Sequence, residues 1–198
     1  LDIALIFKDL EKMPISDTGF WVDVDFEKEH CFDKSLASSI LTFLQTRGIK
    51  KMYDFGCGPG QYVQKMREGG IESIGYDGNP ITSRFLNCNV ADITNPDFTL
   101  EPVDCVLCLE VGEHVPNQFE RVLFDNIDKH VNPGGILILS WAIPGQGGYG
   151  HVNCQTNQYV RSQIIPRGYT SLPDIESTLR NHSSLSWFKH TILVFQKN

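Results

Sequence analysis

The sequence has no long apolar run. Its longest hydrophobic stretches, residues 103–109 and 136–139, fall far short of the about 20 residues that a membrane-spanning helix needs. It has no secretory signal pattern, because residues 1–10 carry Asp2, Lys8 and Asp9 and no cleavage site follows them. Its first residue is Leu rather than Met, which reads as a chain excised or processed from a longer product. It has no basic block: 17 Lys and Arg are dispersed among 24 Asp and Glu, for a formal net charge of −7. Binding to a nucleic-acid backbone wants clustered cations, so neither a nucleic-acid nor a membrane partner is expected. It has no second C-x-x-C motif. Cys105 and Cys108 lie within 103–109, which reads as a buried strand, where residues i and i+3 face opposite ways. They are expected to be packing residues rather than zinc ligands or a redox pair. Six free thiols would suit a reducing, cytoplasmic setting.

What is present fits one globular domain over 1–198, with 41% hydrophobic and 21% charged residues. Residues 1–32 form an arm: 1–12 has helical spacing ended by Pro14, and 20–26 alternates with period two. The exposed aromatics Phe20 and Trp21 fit either a lid over a substrate or an arm packed on the sheet edge. Residues 33–48 read as a helix with Asp33 as N-cap, Leu36, Ile40, Leu41 and Leu44 on one face, and Gly48 as its stop. Then come a strand at 51–55, a glycine turn, a helix at 61–68, a strand at 72–76 closing on Asp77, and strands at 85–90 and 103–109. A helix at 118–131, a turn at 132–135 and a strand at 136–141 follow. Residues 142–168 read as one long irregular loop, a candidate substrate wall. The chain closes with a helix at 172–180 and two strand-like runs, 185–190 and 191–196. These runs lie too close together for a parallel crossover, so one must be antiparallel. Strands alternating with helices give an α/β domain with a mainly parallel sheet.

The stretch 53–60, with Gly56-x-Gly58-x-Gly60, carries the first chemical signal. A strand turning on glycines into a helix directs backbone N–H groups and a positive helix end at one point. The dinucleotide fingerprint wants its third glycine where Gln61 stands, and no Gly-Lys-Ser/Thr follows for a phosphate loop. Asp77 and Asp92 then stand at successive strand ends. Either one alone reads as a helix N-cap. Together they offer acceptors for the ribose hydroxyls and the exocyclic amine of a neutral nucleoside.

This set resembles the class I S-adenosylmethionine-dependent methyltransferases of the small-molecule type, over about residues 33–141 and in the closing helix and strands. The resemblance implies a Rossmann-like seven-stranded, mostly parallel sheet with helices on both faces and an antiparallel last strand. It implies S-adenosyl-L-methionine as cofactor. Asp54 and the turn Gly56, Gly58 and Gly60 match the motif that holds the methionyl part; Asp77 matches the ribose acid and Asp92 the adenine acid. Gly78, Ala91 and Glu110 complete the expected cofactor set. The segment 109–115 looks like the Glu-x-x-Glu-His-Val that follows strand four in small-molecule methyltransferases. The Asn/Asp-Pro-Pro-Tyr/Phe of enzymes that methylate nucleobase or glutamine amines is missing.

For the transfer itself, His151 in the Gly-rich loop is the preferred base, with His114 after strand four the second candidate. Trp21, His30, Glu113 and Asn153 are expected to touch the small-molecule acceptor. A metal site from Glu110, Glu113, His114 and His151 is conceivable, but no spacing fixes its geometry and none is expected. O-methylation stands slightly ahead of N-methylation. A cofactor-binding domain without turnover and a nicotinamide-dependent oxidoreductase are the alternatives.

Overall fold

In the computed structural model the described residues are 15–22 and 30–198. The helical pattern at 1–12 and most of the alternating run at 20–26 lie outside them. Helix α1 (Lys34–Thr46) starts where Asp33 accepts from the Leu36 amide, and it buries Leu36, Ala37, Ile40 and Leu44. Each such aliphatic side chain contributes roughly 1.5–3 kcal/mol on burial. Strand β1 (Lys51–Phe55), helix α2 (Gln61–Glu68) and strand β2 (Glu72–Asp77) form the first crossover. Then follow β3 (Cys88–Val90), β4 (Val103–Cys108), α3 (Asn117–Lys129) and β5 (Val131–Leu139). The remaining elements are α4 (Asn157–Ile164), β6 (Tyr169–Ser171), α5 (Pro173–His182), α6 (Phe188–Thr191) and β7 (Leu193–Lys197).

The seven strands form one sheet in the order β3-β2-β1-β4-β5-β7-β6. Only β7 runs against its neighbours, pairing antiparallel with both β5 and β6. One core layer packs Leu36, Ile40, Met66, Leu179 and Phe188 on one face of the sheet. The other packs Leu123, Phe124, Ile127, Val160 and Ile164. Cys105 belongs to the first layer and Cys108 to the second, as strand alternation requires. The strand order turns outward in both directions from β1 and β4. In sheets of this kind ligands bind beyond the carboxyl ends of the strands at that switch point.

Four expectations fail for local reasons. Residues 185–190 are not a strand. Leu185, Phe188 and Ile192 recur at spacings of three and four and pack together on the α1 side, so the segment turns into α6. The partner of β7 is instead Tyr169–Ser171. The long loop is interrupted by α4, capped by Thr156 and anchored by only two buried residues, Val160 and Ile164. The turn at 132–135 lies inside β5: Val131 pairs with Val103 and Ile136 with Cys105, so the extra residues bulge out. Strand β3 is also shorter than the 85–90 expected, because a 3-10 turn over Pro80–Arg84 precedes it.

Candidate active site

A cavity of about 390 Å³ opens at the switch point, a size typical of small-ligand sites. Its floor is the glycine turn. Gly56 and Gly58 hold left-handed conformations, with φ of 76° and 52°. A Cβ on Gly56 would lie 2.2 Å from Val111 Cγ2, and one on Gly58 would lie 2.5 Å from the His30 ring. Only glycine fits both the backbone and the space. Gly60 caps α2 with no side-chain hydrogen bond, so the first amides of the helix are left for a ligand.

Acidic groups surround that floor. Asp54 is 2% exposed, and its Oδ2 has no hydrogen-bond partner. Burial, with the nearby Cys88 and Asp77, pushes its carboxyl well above the usual range. An unpaired carboxylate at the cavity edge suits a ligand ammonium. Asp77 accepts from Gly58 N at 3.0 Å and Asn79 N at 2.8 Å; burial raises its carboxyl, and these amides partly offset that. Asp92 lies at the cavity beyond β3, where Oδ1 accepts from the Thr94 amide at 2.8 Å and the Thr94 hydroxyl at 2.6 Å. Gly78 also lines the cavity. Ala91 lies behind it, its amide donating to the Asp77 carbonyl.

The other end of the cavity is built by the segment after β4 and the loop after β5. Glu110 adopts φ 53°, a strained conformation for a residue with a side chain. Ser140 holds it from two sides, accepting from Glu110 N at 2.8 Å and donating to Glu110 Oε1 at 2.7 Å. Gln146 donates to Glu110 Oε2 at 3.0 Å. Burial raises the Glu110 carboxyl, and these two donors offset part of that. Glu113 is fully buried, with no hydrogen bond to either carboxyl oxygen. Burial, and then the charge of Glu110, raises its carboxyl well above the usual range. His114 is pushed down to about 4 by burial and by His151, so it is neutral at physiological pH. The His114 and His151 rings meet edge to face with centroids 4.9 Å apart. One ligand atom each from Glu113, His114 and His151 lies within 4.8 Å of the others. Trp21 closes this end, edge-on to His30 at 5.4 Å, His114 at 5.3 Å and Tyr149 at 6.5 Å.

Of the residues expected at the site, Trp21, His30, Asp54, Gly56, Asp77, Gly78, Asp92, Glu110, His114 and His151 line one cavity. Gly58 and Gly60 belong to the turn without lining the cavity, and Glu113, expected to touch the acceptor, is instead fully buried beside His114 and His151. Asn153 is a correction: its Nδ2 donates to Glu120 and its Oδ1 accepts from Gln155, so its side chain braces α3 and is spent away from the cavity. Phe20 was noticed only as an exposed aromatic of the arm, and Thr18, Thr94, Ser140 and Gln146 were not singled out by the sequence. Gln146 alone had a signal, its place in the Gly-rich loop.

The switch-point cavity, the glycine turn and the acidic strand ends define an α/β domain with one cavity, lined by acids and imidazoles, at the carboxyl edge of its sheet. The family model of the methyltransferase domain matches residues 29–159, and the chain belongs to that family. A ubiquinone biosynthesis O-methyltransferase from Rickettsia canadensis is 28% identical over 148 residues, 67% of this chain and 62% of that protein. The chain thus spans less than two thirds of that relative. Among solved structures, the sugar N-methyltransferase KedS8 from a Streptoalloteichus species superposes with a TM-score of 0.65 at 15% identity, covering 83% of this chain and 87% of the other. The N-methyltransferase NodS from Bradyrhizobium japonicum, solved with S-adenosylhomocysteine, gives 0.59 at 18% identity over 88% and 89%. At these identities the two structures speak for the fold alone. No helix among the described residues is long and apolar enough to cross a membrane.

Proposed function

We propose that this chain transfers a methyl group from S-adenosyl-L-methionine to an oxygen, or less readily a nitrogen, of a small metabolite. The observation that carries this reading is a single cavity that runs from the acids at the ends of β1, β2 and β3 to the His114–His151 pair. In this reading Asp54 takes the donor's ammonium, the turn amides its carboxylate, Asp77 the ribose hydroxyls and Asp92 the purine amine. The sulfonium carries its own leaving group, so the chain's main task is to hold acceptor, methyl and sulfur in line. Alignment of this kind is worth about 7–11 kcal/mol. His151 takes the acceptor proton as the methyl is transferred, with neutral His114 against its ring. The described part of the arm, residues 15–22, serves as a lid and the loop after β5 as the acceptor wall, within one methyltransferase domain. The six cysteines are all free thiols, in keeping with a reducing, cytoplasmic setting.

Glu113 favours a second reading of the acceptor end. A fully buried carboxyl without a partner, facing two imidazoles, has the donor chemistry of a divalent-cation site. Glu113, His114 and His151 would hold the ion, with Glu110 beside them. The ion would lower the acidity barrier of an acceptor hydroxyl as a Lewis acid.

Calorimetry with S-adenosylmethionine, S-adenosylhomocysteine and NAD tests the donor. Binding of NAD alone would sink the methyltransferase reading. A methyl-donor assay over a panel of hydroxylated metabolites, with and without chelator, tests the acceptor end. Donor binding with no turnover on any acceptor would favour a binding domain.

A further inference from the structure

The described part of the N-terminal arm is a small hairpin with its own chemistry. Ile15 and Trp21 bridge antiparallel, and Ser16 N donates to the Phe20 carbonyl at 2.9 Å. The Ser16 hydroxyl accepts from the amides of Gly19 and Phe20, each at 3.1 Å. Gly19, at φ 104°, sits so close to the end of the β4 segment that a Cβ there would be 2.1 Å from the His114 carbonyl oxygen. The hairpin is therefore docked at a fixed height over the cavity. Two of its side chains reach the nucleoside end. Thr18 Oγ1 donates to Asp92 Oδ2 at 2.8 Å, a contact between residues 74 apart in sequence. Phe20 packs flush on Gly78, where a Cβ would meet three of its atoms at 2.2–2.7 Å.

We propose that this hairpin is the purine clamp of the donor site, with Thr18 positioning the Asp92 carboxylate for an exocyclic amine and Phe20 supplying an apolar roof for the purine ring. This rests on the reading of Asp92 as the purine acid. The chemistry of the three residues fits the assignment. With Oδ1 taken twice by Thr94 and Oδ2 once by Thr18, one acceptor position remains on Oδ2. The carboxylate thus has a fixed rotamer and one vacant lone pair. That vacancy selects a purine with a donor at the amine position over one with a carbonyl there. The glycine after Asp77 leaves room for Phe20 to lie against the backbone, and an aromatic face stacks on any purine. Thr18, Phe20, Asp77, Gly78, Asp92 and Ile93 all line the same cavity. Trp21, the next residue after Phe20, lies over His114, so the hairpin spans the donor and acceptor ends.

Calorimetry on the full chain with S-adenosylhomocysteine and its inosine counterpart, S-inosylhomocysteine, tests the clamp. Phe20→Ala should weaken both ligands on the order of tenfold. Thr18→Val should weaken S-adenosylhomocysteine about fivefold and reduce the preference for adenine over inosine. Thr18→Ser, which keeps the hydroxyl, should restore both. A fully structural Thr18 would not change that ratio. If Thr18→Val and Phe20→Ala leave affinity and preference unchanged while Asp77→Ala weakens binding, the clamp is wrong and the donor reading stands. If the unsubstituted chain binds neither ligand, the donor reading falls and takes the clamp with it. Should Phe20→Ala fail to fold, the Thr18→Val and Thr18→Ser pair decides alone.

Discussion

Replacing Gly56 with alanine separates backbone strain from steric overlap at the floor of the site. The residue sits at φ 76°, and an L side chain in that region costs about 1–2 kcal/mol. The added Cβ would also lie 2.2 Å from Val111 Cγ2 and 3.4 Å from Val111 Cβ and Cγ1. Forcing a methyl into such a contact costs about 1–3 kcal/mol. Gly56→Ala should therefore destabilise the fold by about 2–5 kcal/mol, at roughly 2–4 °C of melting temperature per kcal/mol for a domain of this size. Val111→Ala alone should cost about 1–2 kcal/mol as a half-buried truncation. Combining the two removes the 2.2 Å contact but leaves the strain. The double variant should thus be more stable than the sum of the singles by about 1–3 kcal/mol. Urea or thermal unfolding of the four proteins measures this coupling. Additivity within about 0.5 kcal/mol would refute the claim that Val111 dictates glycine at this position.

Other predictions follow from buried groups. If a divalent cation is held at the acceptor end, Mn²⁺ should raise the melting temperature of the unsubstituted chain and not that of Glu113→Gln; an equal rise in both would exclude Glu113 as a ligand. His130 is fully buried, with its ring N–H given to the Asn126 carbonyl and Nε2 accepting from Leu100 N at 2.8 Å. Burial lowers its affinity for a proton, so the unfolded chain binds more protons below about pH 6.5. Stability should be full above that value and fall as pH drops, with a slope of at most about 1.4 kcal/mol per pH unit from this group. His114 adds in the same direction. His130→Gln should therefore flatten part of the slope in urea titrations from about pH 5.5 to 7.5 (about one unit either side of the free imidazole value), and an unchanged slope would dismiss the histidine. Arg161 ties α4 to α5 through the nearly buried Glu176 and also donates to Ser171 at 2.7 Å. Arg161→Met leaves that carboxylate only the Val194 amide as a donor and should cost about 3–5 kcal/mol of unfolding free energy by denaturant titration. A loss below about 1 kcal/mol would mean that the pair behaves as a surface bridge.

The parts legible in the sequence are those where local chemistry and tertiary role coincide. Asp33 caps α1 because a side-chain oxygen before an apolar face can do little else there, and it also accepts from the amides of Ser184 and Leu185. Gly56, Gly58, Asp77 and Asp92 were readable because each residue type is demanded by a backbone turn or a strand end. The failures occur where one pattern serves two structures. Leu185 and Phe188 looked like part of a strand because the run 185–190 is short and apolar, and only the α1 face against which they pack marks it as helical instead. Asn153 looked like a substrate anchor because it stands in a polar loop. Its partner Glu120 is 33 residues away on α3, and no local signal announces that bond.

The hairpin illustrates the same limit from the functional side. Phe20 and Trp21 were visible as conspicuous aromatics, but two destinations, a lid or a sheet-edge arm, fitted them equally. The contacts that hold the hairpin come from residues far along the chain. Gly78 has no side chain to keep Phe20 off the strand end, and Asp92 accepts the Thr18 hydroxyl. His114 presents its carbonyl to Gly19 and its ring to Trp21. Each of these three partners lies at the carboxyl end of a strand, where the sheet gathers whatever the chain uses for binding. An arm that docks on those three points is fixed by the site rather than by its own sequence. Substitutions at Gly78 should therefore register at the acceptor end as well as at the donor end, because a Cβ there displaces Phe20 and with it the Trp21 ring. Gly78→Ala should weaken S-adenosylhomocysteine binding and quench or shift Trp21 fluorescence together, and Phe20→Ala in the same chain should restore the room that the new methyl takes. A Gly78→Ala protein with reduced affinity but an undisturbed Trp21 signal would show the two ends to be independent.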